Sequence, residues 1–362
     1  MKAYLILRSL CTDGSAGCDA VCMKNALADM GIETSVFAAR MSVEDAYGRG
    51  VLPPEAFPET SDDDIIFFID KDGSPLGEKA AGLRGRKILV YHDRICPERK
   101  REYGLDAYEE LRSVYLSTAR SIDIYDGAMV FSEKGERELR IMGCKCPIER
   151  RPLMLSPELM SGGGRGEPSS ELFPEETVNI LYSGMAVPDE NIEDIIRAYA
   201  CYRKYYSRNS QLIIGYNEYR SRKYISELKR YTEILGCGGV RFLYLSGDAL
   251  RGAIEKADAV ICSPLGNVFP EAAARAVFTG VPVIMTGRGA DRQLLGDCAA
   301  VTGDSDPHTA AALINRLVTD SGFKELYVSE QRKYGDRADP KITSAAFKSS
   351  LEALLGRCGE TV

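Results

Sequence analysis

The sequence lacks the features that would tie it firmly to a membrane or to nucleic acid. No apolar run approaches the roughly 18 residues of a membrane span. The apolar start, MKAYLILRSL, reaches Arg8 too soon for a secretion signal. A net charge of −7 provides no basic field for nucleic acid. We therefore expect a cytoplasmic protein with no nucleic-acid partner, whose only membrane contact is peripheral, at the inner face.

Metal ligands are also scarce, because the chain has only two histidines. Its 11 cysteines are scattered rather than arranged in a framework. Cys144 and Cys146 form a lone C-x-C, and Cys18 and Cys22 are four residues apart. Neither pair completes a ligand set, so we expect no metal, and free thiols in a reducing compartment.

Positive charge is concentrated in two short runs, LRGRK at 83–87 and RICPERKR at 94–101. Such runs are typical of a solvated face. They also suit a patch for an anionic lipid or a phosphorylated acceptor. The sequence leaves both interpretations open.

The length and the alternation of segments predict two α/β domains. A chain of 362 residues with 44% hydrophobic and 27% charged residues has an ordinary globular composition and room for about two cores. In the first half, apolar runs of buried-strand length alternate with segments of helical spacing. The predicted strands include 3–10, 64–70, 87–92 and 127–132, and the predicted helices are 19–31 and 133–143.

A segment without periodicity separates the halves. Residues 156–177, SPELMSGGGRGEPSSELFPEET, are rich in Gly, Ser, Pro and Glu, which is typical of a linker. The alternation restarts with a strand at 178–184 and an amphipathic helix at 191–206, and a last helix is predicted at 342–357. The fold class is therefore α/β, with two Rossmann-like domains. Ligands bind at the carboxyl ends of such strands, so we expect the site in a cleft that the two domains face.

Three segments of the second half carry a resemblance to a known family. They are ILYSGMAVPDENIEDIIRAYACYRKY, ADAVICSPLGNVFPEAAARAVFTGVPVI and GDCAAVTGDSDPHTAAALINRLVTD. In this order they resemble the donor domain of family 4 glycosyltransferases, which have the GT-B fold. DGSPLGEKAAGLRGRKILVYHDRICP and AMVFSEKGERELRIMG resemble the acceptor domain of that family more loosely. The resemblance implies an acceptor-side domain at 1–155, a linker at 156–177, a donor-side domain at 178–338, and a C-terminal helix at 339–362 that returns to the first domain.

The resemblance also implies an activity, which is retaining transfer of a hexose from a nucleotide-diphosphate sugar to a glycan or lipid-linked acceptor. No metal or other cofactor is expected. The protein would position the reactants and stabilise the diphosphate as it leaves.

The positions that hold the donor in this family carry other residues here. The family has Gly-Arg after the first strand of the donor domain and a Lys five residues later, both cations binding the diphosphate. This chain has Gly184, Met185 and Glu190 there. The family then has Glu-x7-Glu, for the sugar hydroxyls and the ribose, where this chain has Asn267 and Arg275.

These replacements have different consequences. A carboxylate at Glu190 repels a diphosphate, by roughly 4 kcal/mol for unit charges 4 Å apart at an effective dielectric near 20. Arg275 has no acceptor for a ribose hydroxyl, whereas the Asn267 amide still binds hydroxyls. A donor site rebuilt around Arg275, with Arg288 and Arg292 nearby in sequence, remains an alternative to a site that has stopped working.

Glycine and carboxylate positions complete the candidate donor site. DGSAGCDA at 13–20 is predicted to be a loop whose backbone N–H groups approach a phosphate or a sugar. Its G-x-x-G lacks the pattern of a dinucleotide site. Glu271 is predicted in the first turn of a helix that starts at Pro270. The candidate donor-binding residues are Gly14, Gly17, Gly184, Asn267, Phe269, Glu271 and Arg275.

The candidate catalytic residues are His92 and Asp93. His92 ends a predicted strand, and the resemblance implies that it lies beside the donor sugar. Asp70, Lys71 and Ser74 follow another strand and are candidates to line the cleft. Asp70 does not form a convincing acid–base pair with its neighbour at 72, because aspartates are common in turns.

Two functions therefore stay open. The first is an active hexosyltransferase that binds a sugar nucleotide and a glycan or lipid-linked acceptor. The second is a pseudo-glycosyltransferase that keeps the fold and supports an active glycosyltransferase partner or binds a glycan. The set Met185, Glu190, Asn267 and Arg275 favours the second, and the resemblance along the chain favours the first.

Overall fold

The computed structural model describes most of the chain. The described residues are 1–11, 14–42, 50–71, 73, 77–94, 97, 105–156, 172–216, 222–245, 247–263, 271–286, 300–302 and 306–357. The chain divides into two compact units. Unit 1 comprises Met1–Ser156 and Arg337–Val362, and unit 2 comprises Pro157–Asp336. The predicted linker at 156–177 falls largely on 157–171, which lie outside the described residues.

The described strands of unit 1 form a seven-stranded parallel sheet in the order β3-β2-β1-β4-β5-β6-β7. They are β1 (Lys2–Cys11), β2 (Glu33–Ser42), β3 (Val51–Leu52), β4 (Ile65–Asp70), β5 (Arg86–Tyr91), β6 (Gly127–Val130) and β7 (Ile148–Arg150). Every residue of β4, IIFFID, is buried, as expected for a strand covered on both faces. The chain order reverses between β1 and β4, which makes their carboxyl ends the switch point where such sheets bind ligands.

Helices cover both faces of this sheet, and two apolar clusters form the core. The helices are α1 (Ser15–Asp29), α2 (Leu105–Arg120), α3 (Glu133–Ile141) and α10 (Pro340–Arg357). The C-terminal helix α10 packs on α1, β6 and β7. Phe347 and Leu351 are fully buried in the core of unit 1, so this core includes the last helix of the chain.

Unit 2 repeats the arrangement. Its described strands form a parallel sheet in the order β10-β9-β8-β11-β12-β13. They are β8 (Val178–Gly184), β9 (Ser210–Tyr216), β10 (Val240–Tyr244), β11 (Ala259–Cys262), β12 (Val283–Thr286) and β13 (Ala300–Thr302). The helices are α4 (Ile192–Tyr205), α5 (Arg222–Ile234), α6 (Gly247–Glu255), α7 (Glu271–Thr279), α8 (Pro307–Thr319) and α9 (Ser321–Arg337). The switch point here lies between β8 and β11.

The predicted fold class, two Rossmann-like α/β domains with parallel sheets, is confirmed. The largest difference is α2, which the sequence analysis did not predict. Its half-buried residues Leu111, Val114 and Tyr115 and its buried Thr118 recur at helical spacing, so the pattern was present. It is weak because exposed polar residues, among them Glu109, Glu110 and Arg112, surround these positions.

A second difference affects the candidate site. The segment 13–20 was predicted to be a loop, but α1 begins at Ser15. The first turns of α1, including Ser15, Ala16, Gly17 and Ala20, are buried in the unit, and this burial offsets the low helix propensity of glycine. Gly31, predicted to end α1, has a φ of +74°, which glycine adopts without strain.

Candidate functional site

The carboxyl end of β4 in unit 1 carries a buried charge network. Both the guanidinium of Arg94 and the hydroxyl of Thr118 bind the Asp70 carboxylate, the latter at 2.7 Å. Arg94 also donates to Thr118 at 2.9 Å and to the carbonyl of Lys71 at 2.8 Å. Asp70 accepts the Gly73 backbone N–H at 2.9 Å. Since its oxygens are occupied by these partners, Asp70 holds the edge of the sheet together rather than lining an open site.

A second buried ion pair joins α1 to the segment that follows β7. Arg151 donates from both terminal nitrogens to the two oxygens of Asp19, at 2.8 and 2.7 Å, and neither side chain is exposed. The Met154 N–H also donates to Asp19, at 3.0 Å. The guanidinium lies 4.8 Å from the ring centre of Phe131 and 5.4 Å from that of Phe347. A buried pair needs such good geometry because both charges lose their water.

His92 lies beside this pair at the carboxyl end of β5. Its Nε2 atom is 3.8 Å from Asp19, too far for a hydrogen bond, and has no hydrogen-bond partner among the described residues. The ring packs 4.6 Å from that of Phe131 and is 4% exposed. Burial holds the pKa of His92 well below its usual value, and Lys71, Arg151 and Arg94 lower it further. His92 is therefore a neutral imidazole at pH 7.

Asp93 is held by the start of α3. Ser132 donates to its carboxylate at 2.6 Å and accepts the Gly135 N–H at 3.0 Å, so Ser132 is also the N-cap of α3. A Cβ on Gly135 would lie 2.5 Å from the other Asp93 oxygen. Glycine is thus needed there because the carboxylate comes close to the helix backbone.

The two glycines predicted in unit 1 occupy the start of α1. Gly14 is its N-cap, with no side-chain cap, and Gly17 lies in the first turn rather than in a loop. No acidic residue lies in that turn. Lys71 donates to the Ser15 hydroxyl at 3.3 Å, so a cation lies beside the positive end of the helix dipole. Helix starts of this kind suit anions.

The corresponding edge of unit 2 keeps a tight turn after β8. The Tyr182 hydroxyl donates to the carbonyl of Met185 at 2.8 Å. A Cβ on Gly184 would lie 2.8 Å from that hydroxyl oxygen, so Gly184 has a structural reason to be glycine. The Met185 side chain is 45% exposed, and this turn presents a thioether to solvent.

Glu190 turns its charge toward the same edge. Burial raises the pKa of Tyr182, and the Glu190 carboxylate near its hydroxyl raises that pKa further. Burial and Glu190 likewise raise the pKa of Cys262, which ends β11. Glu190 therefore places negative charge at the switch point between β8 and β11. The next residue, Asn191, has a φ of +48° and begins α4.

The remaining donor candidates are only partly described. Arg275 lies in α7 and is 3% exposed, so the fold buries it in unit 2. Glu271 is the first residue of that helix. The other sequence candidates that lie outside the described residues are Asn267, Phe269, Ser74, Arg288 and Arg292.

Among the residues that the structure describes, no group of three or more His, Cys, Asp or Glu side chains is placed to hold a metal ion. No helix in the same ranges has both the length and the apolar character needed to cross a membrane.

Sequence comparisons give no relative, since neither a protein-family model nor a curated protein matches the chain. Structural comparisons do. The structure of HepE from Anabaena in complex with UDP matches with a TM-score of 0.71 and 16% identity, covering 98% of this chain and 100% of that one. WaaG, a glycosyltransferase involved in lipopolysaccharide biosynthesis, matches with a TM-score of 0.67 and 14% identity over 98% and 100% of the two chains.

A third match also covers nearly all of both chains. OtsA, a trehalose-6-phosphate synthase, matches with a TM-score of 0.69 and 14% identity over 97% of this chain and 99% of that one. HepE has also been solved with UDP-glucose. At these identities the matches establish the fold alone. The predicted GT-B fold, that of glycosyltransferases, is therefore confirmed across both units.

The sequence analysis missed Asp19, Arg94, Thr118 and Arg151, which build most of the unit 1 edge. Two signals pointed to them. Arg94 comes two residues after the predicted strand 87–92, where parallel sheets gather their polar side chains. Asp19 has the small or apolar neighbours Cys18, Ala20 and Val21, and a charged residue among them also signals a buried partner. Neither signal identifies the partner.

Proposed function

We propose that this chain is a glycosyltransferase of the family 4 type, which transfers a hexose with retention from a nucleotide-diphosphate sugar to a glycan or lipid-linked acceptor. The observation that carries the proposal is the GT-B fold over 98% of the chain, shared with proteins solved with UDP and UDP-glucose. The order of the sequence motifs supports family 4. In this proposal unit 1 takes the acceptor, unit 2 takes the sugar nucleotide, and 156–177 link them.

His92 and Asp93 are the proposed catalytic residues. His92 is a neutral, buried imidazole whose Nε2 has no hydrogen-bond partner among the described residues. It suits a hydrogen bond to a sugar hydroxyl, because no charged group has to lose its water. Asp19 and Arg151 act as positioning residues beside it. Asp93 is fixed by Ser132, which makes it a preorganised acceptor for a hydroxyl group.

The start of α1 is a proposed phosphate-binding element of unit 1. Gly14, Gly17 and Lys71 supply backbone N–H groups and one cation. In unit 2, Gly184, Asn267, Phe269, Glu271 and Arg275 remain the proposed donor residues. Such fixed dipoles and cations stabilise the departing diphosphate more than the bound donor, which is what accelerates the reaction.

An activity assay tests this proposal directly. The protein is incubated with UDP-, GDP- and ADP-hexoses, and release of the nucleoside diphosphate and the first-formed sugar anomer are followed by NMR. We expect release from one donor, with the anomeric configuration retained, and a large loss of kcat in His92→Gln. His308→Gln, at the exposed second histidine, is the control. Release with inverted configuration would contradict the proposed chemistry.

One observation favours a second candidate, a non-catalytic member of the fold that supports a glycosyltransferase partner or binds a glycan. In the sequence, Met185 and Glu190 match the positions where the resembled family has its diphosphate cations. Met185 is exposed, and Glu190 raises the pKa of Tyr182. A carboxylate there opposes a diphosphate. If no donor is consumed, this candidate predicts that the protein raises the activity of a second glycosyltransferase when the two are mixed, which turnover by that enzyme would measure.

A further inference from the structure

A turn in unit 1 brings two thiols into contact. Helix α3 ends at Ile141, and Gly143, with a φ of +96°, reverses the chain before β7. Cys144 and Cys146 follow in this turn, and their sulfur atoms are 3.3 Å apart. An S–S bond is about 2.05 Å long, so the sulfurs must approach by only about 1.3 Å to form one.

The backbone of the turn is held in this arrangement. Arg140 donates from one nitrogen to the carbonyls of Cys144 and Cys146, at 2.9 and 3.0 Å. The Cys144 N–H donates to the carbonyl of Leu139 at 3.0 Å. The contact between the thiols therefore does not depend on a chance loop conformation.

The two thiols differ in environment. Cys144 is buried in the core of unit 1, whereas Cys146 packs against that core and is partly exposed. The hydrogen bond from Cys146 lowers the pKa of Cys144 to about 7, and the positive charge of Arg140 contributes. For the same reason the pKa of Cys146 is raised, since its proton is shared with Cys144. Of the two thiols, the buried Cys144 therefore loses its proton first.

We propose that Cys144 and Cys146 are a thiol–disulfide modification site, which reacts with low-molecular-weight disulfides to close a Cys144–Cys146 disulfide. The accessible Cys146 attacks one sulfur of the small disulfide as its proton passes to the adjacent Cys144 sulfur. The S–S bond of the small disulfide breaks and releases one thiolate. Cys144 loses its proton to solvent and attacks the Cys146 sulfur, and the second small thiolate leaves. The protein loses two electrons, and the small disulfide becomes two thiols.

The chain contains a matched control for this reaction. Cys18 and Cys22 are also neighbouring thiols, four residues apart on α1, where a hydrogen bond that Cys22 donates to Cys18, together with burial, raises the pKa of Cys22. A regular helix fixes their backbones, so a disulfide requires α1 to distort. Proximity alone would make both pairs react, whereas the proposal predicts reaction at 144 and 146 only.

The test uses oxidised glutathione on the folded full-length protein. The reaction is quenched in acid, free thiols are blocked with N-ethylmaleimide, and the protein is digested with trypsin without reductant. Trypsin cuts after Lys145, so the peptides 141–145 and 146–150 stay joined only if the disulfide has formed. An uncut peptide 141–150 would instead be two hydrogens lighter and unblocked. We expect this product to form at least about tenfold faster than any disulfide in the peptide 9–24, which holds Cys11, Cys18 and Cys22.

Single substitutions separate the two roles. In Cys144→Ser, glutathione should accumulate on Cys146 as a mixed disulfide, and in Cys146→Ser neither site should react at a comparable rate. Arg140→Gln should slow closure several-fold at pH 7, because loss of the positive charge raises the pKa of Cys144 and leaves less of its thiolate for the second step. A stable mixed disulfide on the unaltered protein, no reaction, or equal reaction at both pairs would each overturn the proposal. The result of this test does not depend on whether the proposed sugar transfer is correct.

Discussion

The two parallel sheets have the same order of strands, but the residues at their carboxyl ends differ in charge and burial. In unit 1 this edge holds two buried ion pairs, Asp70–Arg94 and Asp19–Arg151, around a neutral His92. In unit 2 it holds an exposed Met185 and the carboxylate of Glu190. A GT-B fold therefore does not by itself fix the charge of its switch points, and function has to be argued from each edge separately.

The difference also shows which features keep the shape of an edge. Unit 2 retains a glycine at 184 because the Tyr182 hydroxyl lies close to it, and the turn closes on the carbonyl of Met185. These contacts need no cation. The turn after β8 thus closes on a neutral hydrogen bond, whereas the edge of unit 1 contains buried charges.

The largest expected effect is a loss of stability when a buried ion pair of unit 1 loses one partner. Arg151→Met leaves the Asp19 carboxylate buried without its partner, and we expect it to lower the free energy of unfolding of unit 1 by about 3–5 kcal/mol. Urea denaturation followed by circular dichroism measures the change. Adding Asp19→Asn should recover part of it, since an amide carries no charge.

The neighbouring Arg150 is the control for this prediction. Its ion pair with Glu133, at 3.1 Å, is exposed, so Arg150→Met should change the stability by less than about 0.5 kcal/mol. Equal losses in the two variants would show that the buried pair is not what holds the edge of unit 1.

The next effect concerns unit 2. Met185→Arg with Glu190→Lys changes the local charge from −1 to +2, and we expect UDP to bind at least about tenfold more tightly at low salt, with the gain falling as salt increases. Calorimetric titration measures the affinity. Ile234→Arg with Glu233→Lys makes the same charge change at the exposed far end of α5. If both double variants gain equally, net charge rather than this edge is responsible.

His92 predicts a pH dependence. Because its pKa in the folded protein is well below 6.5, the unfolded chain binds the proton more readily, and stability falls as the pH drops below about 6.5. His92→Gln should reduce the slope of stability against pH by up to about 1.4 kcal/mol per pH unit between pH 6.5 and 5. Urea titrations at several pH values measure the slope. An unchanged slope in His92→Gln would mean that His92 is not buried as a neutral ring.

The smallest effect is at the cap of α3. Ser132→Ala removes the acceptor for Gly135 and the donor to Asp93, and we expect a loss of about 1 kcal/mol. Thermal denaturation measures it. Ser226→Ala, inside the exposed face of α5, is the comparison, and a similar loss there would argue against a capping role.

Local patterns predicted the sheets well, because a buried parallel strand is recognised from a short run of consecutive apolar residues. The run 64–70 corresponds to β4, and 178–184 corresponds to β8 residue for residue. The start of α1 was misplaced, since the glycines at 14 and 17 outweighed the tertiary burial that stabilises its first turn.

The partners of the buried charges could not be predicted from the sequence, for a different reason. Asp19 and Arg151 are 132 residues apart in the chain, and no local spacing relates them. The sequence did place His92 at the end of a strand. It did not reveal that the ring is buried among three cations, because those cations come from other segments.

Calorimetric titration of the unaltered protein with UDP, GDP and ADP, each free and as a hexose conjugate, tests the proposed function most directly. The proposal predicts that one hexose conjugate binds with a Kd of about 1 µM to 1 mM, the usual range for enzyme substrates, and that His92→Gln binds it less tightly. If none of the six ligands binds the unaltered protein, the chain does not use these donors, and the proposed sugar transfer is contradicted.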